Sequence, residues 1–190
     1  MSETTLKDVE QVQTALSQAD LDYDVELENG KISLVGPSDI FSSEISSRLI
    51  GFLFAWVNPQ PWGRLFDSPG GFILPGSNLT APDVSFVRPA RPGQNLPYFG
   101  EIVPDLVLEI KSQGDRVKAL VDKIFNLIKL EAVVGILIDP DTATVTVYHG
   151  KNQPMIFTTG DTLTIPELFP RWELPIAELC PPVFDQEDEN

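Results

Sequence analysis

Glu109 and Lys111 stand two residues apart in the run Pro104-Asp105-Leu106-Val107-Leu108-Glu109-Ile110-Lys111. The run reads as a strand: it is rich in Leu, Val and Ile, and is bounded by Pro104 and by Ser112-Gln113-Gly114. With a side-chain period of two, Asp105, Val107, Glu109 and Lys111 share one face, and the acid and the lysine lie about 7 Å apart along it. Charged groups on an apolar strand are costly unless they are paired or used. A second acid, Asp83, follows Pro82 at the start of another short apolar run, Val84-Ser85-Phe86-Val87. Two carboxylates on adjacent strands can hold a hard divalent cation, Mg²⁺ or Mn²⁺, with waters completing its shell. Such an ion polarises a phosphodiester and lowers the pKa of a bound water. A lysine beside it can orient or deprotonate that water and offset the charge that develops on phosphorus.

Plainer explanations exist for each of these residues. A chain with 28 acids in 190 residues is expected to contain about one acid-x-Lys match by chance. Glu109 and Lys111 could form a same-face structural ion pair, and Asp83 could cap a turn. Glu44 and Arg48, four apart on a candidate helix, fit a surface ion pair. Other chemistries are disfavoured. The single histidine, His149, falls in a Tyr-His-Gly turn with no acid or cysteine beside it in sequence, which speaks against a Ser-His-Asp or Cys-His nucleophile. No Gly-x-x-x-x-Gly-Lys or Gly-x-Gly-x-x-Gly loop is present to cradle a nucleotide.

The elements that must position these groups follow from periodicity and turn signals. A weak helix over 4–20 precedes a hairpin, 23–27 and 32–35, turned by Asn29-Gly30. Asp39 is a candidate N-cap for a helix of roughly 41–57, with Ile45, Leu49, Phe52, Leu53 and Trp56 at core spacing. Short strands at 64–67, 72–74 and 82–87 lead into a Pro- and Gly-rich loop over 89–100. Beyond the central strand, Ser112-x-x-Asp115 resembles a capping box for a helix running to about 130, with Val117, Leu120, Val121, Ile124, Leu127 and Ile128 on one face and Lys123 at its margin. An apolar strand at 133–138 and an alternating one at 142–148 follow, then covering strands. This succession predicts an α/β protein with a mixed sheet flanked by helices.

Length favours one domain over 1–190, with a frayed acidic tail at about 185–190. One cysteine, Cys180, excludes an internal disulfide, and the N-terminus carries no signal-peptide pattern. By the sequence reading, no apolar run approaches the roughly 20 residues of a membrane span, so a cytoplasmic protein without membrane association is expected. The net charge of −15 works against nucleic-acid binding. Residues 111–129 run the other way, with five cations against two acids.

Taken together, Ala81-Pro82-Asp83-Val84-Ser85-Phe86-Val87 and Glu109-x-Lys111 resemble the PD-(D/E)XK nuclease superfamily. More closely, the chain resembles the small bacterial restriction-endonuclease family of the Uma-two type. The likeness takes in the Glu28-Asn29-Gly30-Lys31 hairpin, Ser42-Ser43-Glu44, Gly70-Gly71-Phe72, Ser112-x-x-Asp115, Lys123 and Ile138-Asp139-Pro140. The resemblance implies a restriction-endonuclease-like core. It also implies Asp83 and Glu109 as metal ligands, Lys111 as the catalytic lysine, Glu44 as an additional acid and metal ligand, and Lys123 in support. Asp105, which also follows a proline, is the competing aspartate. Gln113 stands where that family would have proline. The implied activity is Mg²⁺- or Mn²⁺-dependent cleavage of DNA or another nucleic acid; a homodimer is the ordinary expectation for a soluble bacterial protein and suits double-strand cleavage. The alternative is a catalytically silent oligomeric binding or accessory protein on the same fold.

Overall fold

The computed structural model describes residues 4–68, 70–76, 78–89 and 101–179. The acidic tail, Cys180 and residues 90–100 of the expected loop lie outside them. The chain runs α1 (Leu6–Gln18), β1 (Asp24–Glu28), β2 (Lys31–Val35), α2 (Ile40–Val57), β3 (Arg64–Asp67), β4 (Phe72–Leu74), β5 (Asn78–Thr80), β6 (Val84–Val87), β7 (Leu106–Ile110), α3 (Val117–Lys129), β8 (Val134–Asp139), β9 (Thr144–Tyr148), β10 (Met155–Phe157), β11 (Thr162–Thr164) and β12 (Glu173–Pro175).

Six strands form the main sheet in the order β10-β9-β8-β7-β6-β3. β7 and β8 are parallel, joined through α3, and their described neighbours pair antiparallel. The mixed α/β sheet expected from the pattern is therefore present. β7 lies inside it with both faces covered. Leu106, Leu108 and Ile110 pack in one core with Ile45, Leu49 and Leu53 of α2 and with Leu163, Phe169 and Trp172. Val107 packs on the other side with Leu127 of α3. That double cover is why Ser85 and Val87 of β6 are buried along with Val84 and Phe86.

A second sheet, β2-β1-β5-β4, carries α1 against Val25, Leu27 and Leu79. Its hairpin turns at Asn29 (φ 50°) and Gly30 (φ 76°), the paired left-handed conformation of a two-residue type I′ loop. The three-residue β5 escaped the pattern because so short a segment has no measurable period.

α2 is capped by Asp39, whose Oδ1 accepts from the Ser42 backbone N–H at 2.9 Å. Asp39 Oδ2 also accepts from the Gln113 N–H, and the Ser42 hydroxyl donates to the Lys111 carbonyl, so the helix start is tied to the chain leaving β7. Its buried stripe is Ile45, Leu49, Leu53 and Val57; Phe52, expected in the core, is exposed because it projects beside that stripe. Contrary to the sequence expectation, α2 is long and apolar enough, by length and composition, to cross a membrane: 18 residues of mean hydropathy 1.3. Asp115 accepts from the Ser112 N–H, but the helix begins later, at Val117. Val117 itself is exposed.

α3 approaches the sheet closely over Gly135. A Cβ there would collide with the Ile124 side chain, so the absence of a side chain on β8 sets the depth of the helix turn that carries Lys123.

Candidate functional site

The β6–β7 register pairs Val84 with Leu108. Continued by one residue, it sets Asp83 opposite Glu109, the separation at which cross-strand side chains interact. Asp83 is fixed further by its own Oδ2, which accepts from the Ile110 backbone N–H at 2.7 Å. The segment leading into it is held by Glu26 of β1. Glu26 Oε1 accepts from the Ala81 N–H (2.7 Å) and the Thr80 hydroxyl (3.1 Å). From α3, the Lys123 ammonium reaches down between the acids, 3.0 Å from Glu26 Oε1 and 3.0 Å from Glu109 Oε1. Three acids and one lysine therefore meet where β1, the start of β6, the end of β7 and α3 converge.

Burial dominates the electrostatics. It pushes the Glu109 carboxyl up to about 8, against the pull of Lys123 and with the push of Asp83 and Glu26. Asp83 is raised for the same reason, opposed by the Ile110 N–H and by Lys123. Burial alone would lower Lys123, but Glu109 and Glu26 outweigh it and hold the ammonium above the usual lysine range. Lys123 is thus firmly charged, and Glu109 binds a proton readily when no other positive charge is at hand.

Of the residues singled out in the sequence, the fold brings together Asp83, Glu109 and Lys123. Lys111 leaves β7 in another direction and pairs with Asp141 at 2.5 Å; that hydrogen bond raises its pKa. It stays in the neighbourhood, because the charge of Asp115 acts on both Asp83 and Lys111. Glu44 is engaged by Arg48 at 2.7 Å, on the partly exposed side of α2, as the plain i,i+4 reading had it. Asp105 is fully buried at the opposite end of β7 from Glu109, about 13 Å away by strand rise. Its carboxylate accepts from the Arg88 backbone N–H and from the Arg88 guanidinium at 2.7 and 2.9 Å, a structural role. So Glu44 and Asp105 are not in the cluster. His149, which has no acid beside it in sequence, is largely covered and lies 3.8 Å from Glu167, an acid distant in sequence.

Glu26 was missed. In Asp24-Val25-Glu26-Leu27-Glu28 nothing distinguishes it from the acids on either side. Its importance comes from β1 lying beside β5, a pairing made across about fifty residues of chain.

Among the described residues, no three acidic, histidine or cysteine side chains are grouped to hold a metal ion by themselves. The available donors are the two carboxylates of Asp83 and Glu109. Glu109 Oε1 is buried, and its partner is the Lys123 ammonium at 3.0 Å. Asp83 uses Oδ2 on Ile110, and among the described residues no hydrogen bond engages Oδ1. Two carboxylates set opposite each other on adjacent strands fit Mg²⁺ or Mn²⁺, which take one or two carboxylates and retain several waters.

The mixed sheet flanked by helices makes this an α/β protein with a nuclease-like fold. Residues 9–177 match the model of the Uma2 family, described as "Putative restriction endonuclease", and the chain belongs to that family. No curated protein matches the sequence. Among solved structures, the chain is similar to a "putative nuclease belonging to DUF820" from Anabaena variabilis ATCC 29413. The two are 25% identical with a TM-score of 0.74, over 85% of this chain and 94% of that one. A weaker likeness, TM-score 0.34 at 14% identity, joins 61% of this chain to 12% of a chain in the DrdV–DNA complex.

Proposed function

We propose that the protein is a divalent-cation-dependent endonuclease that hydrolyses phosphodiester bonds of DNA. The observation that carries this reading is the buried carboxylate of Glu109 set opposite Asp83 by the β6–β7 register. Asp83 and Glu109 would hold the ion, Mg²⁺ or Mn²⁺. When bound, it supplies Lewis acidity toward a phosphoryl oxygen and a more acidic water. The chain's own groups do the rest. Ile110 orients Asp83 through its N–H. Glu26 clamps the segment that presents Asp83. Lys123 keeps a fixed positive charge beside Glu109, where it offsets charge accumulating on the phosphate. Lys111 is held by an aspartate that is 70% exposed, a solvent-screened partner, so it can turn to a phosphate.

Supercoiled plasmid incubated with Mg²⁺ or Mn²⁺ tests this. Wild-type protein is expected to nick or linearise it, while Glu109→Gln and Lys111→Ala are folded and inactive. Cleavage undiminished in both variants removes the assignment.

One observation favours a second reading, a catalytically silent binding or accessory protein. Lys123 already bridges Glu109 and Glu26, so the acids have a built-in counter-charge. Thermal unfolding with added Mn²⁺ separates the two, since a bound ion stabilises the native state by mass action. The nuclease reading requires a rise in Tm that Asp83→Asn abolishes; the silent reading requires none.

A further inference from the structure

A cleft of about 350 Å³ opens between the Asn29-Gly30 turn, the chain around Gly76 and the C-terminal half of α3. Its polar walls include Asn29, Asn78, Asn126 and Lys129. In a chain of net charge −15, no carboxylate lines it. The two glycines at its mouth have φ of 76° and 86° and leave open space where a side chain would stand. A smaller void of about 40 Å³ shares Asn78 and Asn126 with it and is also lined by Glu26, Glu28 and Lys123, so the cleft adjoins the acidic cluster.

The amides are partly committed. Asn78 Oδ1 accepts from the Asn29 N–H, and Asn126 Nδ2 donates to Glu28. The Asn78 amide nitrogen remains as a donor and the Asn126 carbonyl oxygen as an acceptor. A donor and an acceptor lining one cleft suit the edge of a nucleobase. Lys129 is exposed, and no ion pair engages it among the described residues. It follows Lys123 by six residues, about 9 Å along the helix, comparable with the length of one mononucleotide. We propose that this cleft is a nucleotide subsite, taking the base between Asn78 and Asn126 and the phosphate on Lys129, next to the position where the chain is cut. The proposal rests on the nuclease reading for its substrate class.

The test is NMR titration of the ¹⁵N-labelled protein, without divalent cation, using deoxyadenosine monophosphate and, separately, deoxyribose 5-phosphate. The monophosphate is expected to shift the Asn78 and Asn126 side-chain amide signals saturably. Lys129→Ala, an exposed substitution, should weaken that binding about tenfold, and Asn126→Ala should remove the Asn78 response. No shift in the cleft, or equal shifts from the base-free sugar phosphate, overturns the subsite. Failures are distinguishable: plasmid cleavage without a nucleotide response condemns the cleft alone, whereas a nucleotide response without cleavage condemns the nuclease reading and leaves the cleft standing.

Discussion

The Lys123 ammonium lies 3.0 Å from the buried Oε1 of Glu109, the two groups arriving from a helix and a strand on opposite sides of one interface. Lys123 also neutralises Glu26, so it compensates two acids at once. Removing one partner of a buried ion pair costs about 3–5 kcal/mol because the other is left uncompensated. Lys123→Met is therefore expected to destabilise strongly at pH 8. The loss should be smaller at pH 6, where Glu109 can take up a proton instead. Urea denaturation at the two pH values measures the difference; equal losses would argue against an ionised Glu109 as the group being compensated.

Glu109 also sets a pH dependence in the cation-free protein. Its ordinary value is 4.5 and its folded value is about 8. Between these limits the folded state binds the extra proton, so the contribution of Glu109 makes stability fall as pH rises. Below 4.5 the group contributes nothing, and above 8 the full penalty is present. Asp83, raised by burial, acts in the same direction. Subtracting the urea midpoints of Glu109→Gln from those of wild type, across pH 5 to 8.5, should give a declining curve. A flat difference contradicts the burial of the charge.

Gly135→Ala tests what sets the depth of α3. The new methyl group must displace Ile124, an overpacking change worth about 1–3 kcal/mol. Because Lys123 precedes Ile124, the variant should also lose part of its Mn²⁺-induced rise in Tm. Full stability with an unchanged cation response would place the control of helix depth elsewhere.

Arg88→Ala addresses Asp105. The substitution strips the guanidinium donors from a wholly buried carboxylate, at a cost of about 3 kcal/mol. The Mn²⁺ response of the remaining folded protein should not change, since Asp105 sits at the far end of β7. A lost response would return Asp105 to the list of candidate ligands.

Legibility differed from element to element. The hairpin with its Asn29-Gly30 turn, the capped α2, the apolar β8 and the central β7 were all visible, because local geometry and period-two or 3.6-residue patterning act over a few neighbouring residues. Asp83 and Glu109 were legible as well: each is an acid placed against an apolar strand pattern, a local anomaly. Family resemblance carried the rest of the identification.

Which acids and which lysine meet was decided only in three dimensions. Glu26 joins because β1 pairs beside β5 and faces α3. Lys123, rather than Lys111, enters the cluster because Gly135 lets α3 approach, while Lys111 finds Asp141 beyond the end of β8. Glu44 and Asp105 are drawn away by Arg48 and Arg88. A sequence specifies directions along each element, but the partner of a charge depends on which element the sheet order sets beside it, and that order is a property of the whole chain.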